Sequence, residues 1–166
     1  GKGGIIWHTQ GSGKTGLAAF SNRVIRDYYA KKNINTRMFF IVDRLDLLTQ
    51  ASTEFRNRGL HVTNCKNKKE LAKELNKPLS TNMDSNSIGE ICVVNIQKIM
   101  EDNKMPEAKN DYNANIQRIF FIDEAHRSYS STGEFFKNLM ICDTDAVYIA
   151  LTGTPLLSKK ERSNLK

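Results

Sequence analysis

The sequence predicts an α/β domain built on a mostly parallel β-sheet with crossover helices on its faces. Three observations carry that expectation. Short apolar runs alternate with amphipathic stretches along the chain, the pattern that strand–helix–strand units produce. The runs are continuous rather than alternately polar and apolar, so both faces of the sheet are covered, which a sheet with one wet face does not require. The first run leads into a glycine-rich turn that opens a helix, an arrangement suited to aiming backbone N–H groups at an anion.

The elements follow in order. GIIW (4–7) is the first strand, and TQGSGKT leads from it into a helix running from Lys14 to about Ala30. RMFFIV (37–42) is the second strand; Asp43 can cap the next helix, Leu45 to Arg58, and Gly59 stops it. LHVTNC (60–65) is the third strand, followed by a helix from Lys68 to Asn76 that ends before Pro78. EICVVN (90–95) and RIFFID (118–123) are the fourth and fifth strands, Glu134 to Met140 is a short helix, and AVYIAL (146–151) is the sixth strand. The polar stretches at 76–89 and 101–115 are rich in turn formers and are expected as surface loops. After Pro155 the tail LLSKKERSNLK is basic and polar and offers no further strand.

Composition bounds the partners. The 166 residues are enough for one globular core. Lys and Arg number 25 against 18 Asp and Glu, a net charge of +7, which is compatible with a polyanionic partner without establishing one. Cys65, Cys92 and Cys142 are widely separated and lack paired metal-ligand spacing, so reduced core or near-core thiols and a cytoplasmic location are expected. No apolar run is long enough to span a bilayer, and the N-terminus lacks the layout of a secretory signal. With no initiating Met and an apolar IIW almost at once, the chain is expected to begin inside a larger polypeptide.

Three motifs carry the chemistry. In TQGSGKT, Gly11 and Gly13 allow backbone conformations that turn successive N–H groups towards a phosphate, Lys14 supplies an ammonium for the β- and γ-phosphates, and Thr15 a hydroxyl for Mg²⁺. Thr9, Gln10 and Ser12 complete the loop; His8 stands where the strict pattern has its first glycine. IFFIDEAHRS puts Asp123 at the carboxyl end of a buried strand, where open α/β sheets bind their ligands and where it can hold Mg²⁺. Glu124 beside it can orient and deprotonate an attacking water, and His126 is either a loop residue or a polar link from the γ-phosphate to another element. LTGTP, beyond the sixth strand, places hydroxyls at Thr152 and Thr154 within reach of the 123–126 segment and of a neighbouring domain.

In this order TQGSGKT, DEAH and LTGTP resemble motifs I, II and III of the first of two RecA-like motor domains in superfamily 2 helicases and translocases, a three-layer P-loop NTPase fold. More narrowly, WHTQGSGKT, FFIVDRLDLLTQ, VVNIQKI, FIDEAHRS and ALTGTP resemble the motor region of the restriction subunit of type I restriction-modification enzymes, from about Gly3 to Pro155. The resemblance implies an ATP- and Mg²⁺-dependent motor that pumps double-stranded DNA in the bacterial or archaeal cytoplasm. It implies partners too: a nuclease domain and a second motor domain of the same polypeptide, and modification and specificity subunits. On that reading residues 1–155 are the first motor domain, and 156–166 are a truncated connection towards the second.

Because arginines from a second domain are worth ~10³ to 10⁵ in turnover, the first domain alone is expected to hydrolyse ATP very slowly. By the same resemblance Arg44, Gln97 and Lys98 lie on the face that tracks a DNA backbone, where polar and basic groups bind phosphates without reading sequence. The residues themselves also allow Arg44 to pair with Asp43 or Asp46, and Gln97 to cap its own helix. Two rival readings use the same motifs: a helicase or remodeller motor acting on other nucleic acids, and a nucleotide-binding module that does not hydrolyse. Glu124 argues against the second, since a pure switch has less use for a water-activating base.

Overall fold

The computed structural model describes residues 2–7, 13–76, 90–99, 115–123, 138–141 and 143–152. In chain order the elements are β1 (Lys2–Trp7), α1 (Lys14–Ala30), β2 (Asn35–Val42), α2 (Leu45–Asn57), β3 (His61–Cys65), α3 (Lys68–Leu75), β4 (Glu90–Asn95), α4 (Ile96–Ile99), β5 (Ile116–Asp123) and β6 (Val147–Thr152). The strands form one six-stranded sheet in the order β1-β6-β5-β2-β4-β3, and every pairing is parallel. The expected α/β architecture with a mostly parallel sheet is therefore present.

The continuous apolar runs are buried on both faces, with successive side chains going to opposite sides. Along β2, Phe39 and Ile41 join one core with Phe120, Ile122 and Tyr148, while Met38, Phe40 and Val42 join the other with Ile119 and Phe121. On the first side, Phe39, Phe120 and Tyr148 are direct register partners across three strands. Their rings stack at centroid separations of 4.8 and 5.3 Å. Leu71 and Leu75 of α3 cover that side, and α1 and α2 cover the other through Ala18, Leu48, Ala51 and Phe55.

Helix ends explain where the strands begin. Gly59 takes φ 83°, and after it the Gly59 N–H donates to the Arg56 carbonyl (2.9 Å) and the Leu60 N–H to that of Phe55 (3.0 Å). This closes α2 with a left-handed cap and an apolar clasp, and it holds Leu60 back from β3, which starts at His61 rather than Leu60. Asn33, at φ 57°, closes α1 in the same way, the Ile34 N–H reaching the Tyr29 carbonyl at 3.0 Å. β2 then begins at Asn35, earlier than its apolar run suggests, because the Asn35 N–H donates to the Asn115 carbonyl at 2.8 Å. Asn67 accepts the Glu70 N–H at 2.9 Å and so caps α3.

Asp43 does not cap α2. The backbone stays extended through Arg44 (φ −130°, ψ 152°), so Arg44 is the cap position and its side chain makes no capping bond. Asp46 supplies the acidic charge of the first turn instead. β1, β5 and β6 run over Lys2–Trp7, Ile116–Asp123 and Val147–Thr152, each displaced or lengthened relative to its apolar run because polar residues also pair in register. Of the expected helix from Glu134 to Met140, residues 138–141 are described and helical. Residues 134–137 lie outside the described residues, as do Cys142 and most of the two expected loops.

A buried ion pair ties that helical turn to the sheet. Arg118 Nε lies 2.8 Å from Asp143 Oδ2, with the side chains 1% and 2% exposed. The Tyr148 hydroxyl donates to the Asp143 carbonyl (2.6 Å), and the Asp143 N–H donates to the Leu139 carbonyl (3.0 Å).

Candidate nucleotide-binding site

All five chain exits at the carboxyl ends of β1, β2, β4, β5 and β6 lie along one edge of the sheet, because the strands are parallel. Register sets their level: Ile41 is opposite both Val94 and Ile122, Asp123 is opposite Leu151, and Trp7 is opposite Thr152. The helix that starts at this edge, α1, has Gly13 as its cap residue at φ 86°, a left-handed conformation that any side chain would strain. Its first internal bond is the Leu17 N–H to the Gly13 carbonyl at 2.9 Å. The N–H groups of Gly13, Lys14, Thr15 and Gly16 therefore have no partner within the helix. The first turn carries no acidic residue and the cap makes no side-chain hydrogen bond, so this helix end is left suited to an external anion.

Lys14 sits in that turn, and its ammonium lies 3.3 Å from Asp123 Oδ1 at the end of β5. The two side chains are 10% and 17% exposed, so the pair is largely withdrawn from solvent. The turn and the strand end, far apart in sequence, are thus in contact. Thr15, half-buried, is the next residue of the same turn. A hydroxyl at Thr15 and a carboxylate at Asp123 are hard oxygen donors of the type Mg²⁺ takes alongside water and phosphate oxygens. Among the described residues no group of three or more His, Cys, Asp or Glu forms a metal cage by itself. Two protein oxygens supplemented by phosphate therefore fit the donor set present.

The edge beside this pair carries the residues expected to face DNA. Arg44 follows β2, and its side chain is 51% exposed; its Nε is 3.9 Å from Asp46 Oδ1, so the loose pairing with Asp46 is the one realised. Gln97 follows β4 and is exposed. It does not cap α4: its N–H donates to Asn95 Oδ1 at 3.1 Å, and Asn95, buried at 1% exposure, is the capping residue. Lys98 lies in α4 and Thr152 ends β6, with only their backbone described. Thr9, Gln10, Gly11, Ser12, Glu124, His126 and Thr154 lie outside the described residues.

Two residues at this site escaped the sequence reading. Asn95 was signalled by an Asn between a strand and a helix, a common capping position. Arg58, at the far end of α2, lies against Gly16 of α1, and no local pattern marks it.

The family model for the SWI2/SNF2 ATPase matches residues 1–166. The chain belongs to the SWI2/SNF2 ATPase family. It is 31% identical over 162 residues to the type I restriction enzyme SsaAORF53P endonuclease subunit of Staphylococcus saprophyticus, a match covering 95% of this chain and 16% of that one. It is 28% identical over 170 residues to the putative type I restriction enzyme MjaVIIIP endonuclease subunit of Methanocaldococcus jannaschii, covering 98% and 16% respectively. The chain thus spans about one-sixth of the length of these curated relatives. In fold it matches the crystal structure of the Pyrococcus furiosus Hef helicase domain with a TM-score of 0.53 at 19% identity, covering 96% of this chain and 31% of that one. This family membership and the similarity to restriction subunits bear out the resemblance drawn from the motifs, and the helicase structure bears out the RecA-like fold. No helix among the described residues is long and apolar enough to cross a membrane.

Proposed function

We propose that this chain is the first RecA-like motor domain of a type I restriction enzyme's endonuclease subunit, using ATP hydrolysis to drive double-stranded DNA past the enzyme. The observation that carries the reading is the contact between Lys14 and Asp123 at 3.3 Å, on the sheet edge that also holds Arg44 and Gln97. Lys14 and the first-turn N–H groups bind the β- and γ-phosphates, with Thr9 to Gly13 wrapping the chain of phosphates. Thr15 and Asp123 hold Mg²⁺, which when bound neutralises charge on the phosphate oxygens. Glu124, next after Asp123, orients a water for attack on the γ-phosphate and takes its proton. His126, Thr152 and Thr154 relay the state of the site to a neighbouring domain. Arg44, Gln97 and Lys98 track the DNA backbone without reading sequence.

On this reading residues 1–155 are the motor domain and 156–166 lead to a second motor domain, which supplies the arginines that speed turnover. The remaining partners are a nuclease domain of the same polypeptide and modification and specificity subunits, in the cytoplasm of a bacterium or archaeon. The test is made in the complete protein with Lys14→Ala and Glu124→Gln. The first should abolish nucleotide binding or turnover. The second should bind ATP normally and cut turnover by about 10² or more; hydrolysis by Glu124→Gln at the wild-type rate would remove Glu124 as the base.

A further inference from the structure

α1 and α2 lie side by side on one face of the sheet, and the cap residue of α2, Arg58, reaches the first turn of α1. A Cβ placed on Gly16 would lie 2.8 Å from Arg58 Nη2, 3.1 Å from Cζ and 3.5 Å from Nη1. The guanidinium therefore rests on the backbone of Gly16, in space that any side chain there would take. Gly16 carries the last of the four N–H groups at the start of α1 that have no partner within the helix.

Arg58 is exposed, so its charge is screened by solvent and its guanidinium is free to turn to a ligand. A cation at a helix N-terminus opposes the helix dipole, the first turn has no acidic residue to offset it, and Arg58 forms no ion pair with another described residue. The helix end, Arg58 and Lys14, the last already paired with Asp123, gather positive charge that a polyanion would complement. The two cations approach from opposite flanks. Lys14 turns to Asp123 on β5, whereas α2 packs over β3, β4 and β2, on the other side of α1.

We propose that Arg58 is a nucleotide-binding residue that contacts the inner phosphate, the end of the phosphate chain remote from Asp123. The glycine at position 16 is there to let the guanidinium approach. The inference rests on the nucleotide reading above. Since ADP and ATP share the inner phosphate, loss of the contact weakens both equally, unlike loss of a contact to the γ-phosphate.

The experiment is calorimetric titration of the complete protein with ADP and with ATP, for wild type, Arg58→Ala, Arg58→Gln, Gly16→Ala and Lys14→Ala, each with its nucleotide-free unfolding midpoint measured. The expected result is a loss of about tenfold in affinity for both nucleotides in both Arg58 variants, a loss of the same sign in Gly16→Ala, and no fall in the nucleotide-free midpoint of Arg58→Gln. Unchanged affinities in the Arg58 variants, with binding weakened by Lys14→Ala, would overturn the role of Arg58 and leave the nucleotide site standing. A loss in Arg58→Ala but not in Arg58→Gln would assign Arg58 to packing alone, again overturning the proposal. Wild-type protein that binds neither nucleotide would sink both readings together.

Discussion

Asp123→Asn should tighten nucleotide binding without metal and remove the benefit of metal. Lys14 is partnered by Asp123 at 3.3 Å, so reaching a phosphate means exchanging that carboxylate for the ligand. The strength of the pair sets the size of the effect. Fully exposed pairs contribute about 0–1 kcal/mol, and losing one partner of a buried pair costs about 3–5 kcal/mol. At 10% and 17% exposure the pair lies between these limits, and 3.3 Å is longer than the roughly 2.7–2.9 Å of the strongest charge-assisted bonds. An energy of about 1–2 kcal/mol follows, about five- to thirtyfold in affinity. Repulsion between the carboxylate and phosphate has the same sign. In a titration with ADP in excess chelator, Asp123→Asn should therefore bind about tenfold more tightly than wild type. In excess Mg²⁺ the wild type should gain affinity and the variant should not. The reasoning fails if Asp123→Asn binds metal-free ADP no better than wild type, and the metal assignment fails if the variant still gains from Mg²⁺.

Two further outcomes concern the scaffold. Asp143→Ala removes the carboxylate paired with Arg118, whose side chain is 1% exposed, and should lower stability to urea by about 3–5 kcal/mol. The double change Arg118→Met with Asp143→Leu should recover most of it, and a single-variant loss under about 1 kcal/mol would show the pair to be dispensable. For Cys92, the hydrogen bond with Cys65 and then burial push the thiol well above its usual value. The fold thus holds this proton more tightly than the unfolded chain does. The associated stability is full below about pH 8.5, the unfolded thiol value, and declines as pH rises through the folded one. Wild-type thermal midpoints should accordingly fall more steeply above about pH 8.5 than those of Cys92→Ala, and parallel curves would refute this.

The strand centres were legible because a strand covered on both faces must be apolar throughout, as FFIV and IFFI are in β2 and β5. Their starts were not, because Asn35, Thr36 and Gln117 are polar and pair in register all the same. Sequence composition registers burial, whereas a ladder needs only backbone groups. The four residues of α4 gave no signal, since one turn has no period to detect; what fixes it is Asn95, a side chain acting on the next backbone N–H but one. Asp43 was misplaced as a cap for a related reason. Whether Asp43 or Arg44 ends the extended segment is decided by one residue's backbone angles, and either choice satisfies the same composition.

At the site, Lys14 and Asp123 were legible separately, and the parallel sheet explains why they meet. Every parallel strand leaves the sheet at the same edge, so a loop after β1 and a carboxylate ending β5 converge once the fold class is known, whatever lies between them in sequence. That rule places Arg44 and Gln97 on the edge too. It says nothing of Arg58, which sits at the opposite end of its helix from that edge and reaches Gly16 through the packing of α2 on α1. Helix packing is set by side-chain volumes over the whole interface, and no motif reports it. If Arg58 proves to bind the inner phosphate, the nucleotide site has two origins: a part imposed by strand direction, which a motif search finds, and a part set by helix packing, which only the coordinates reveal.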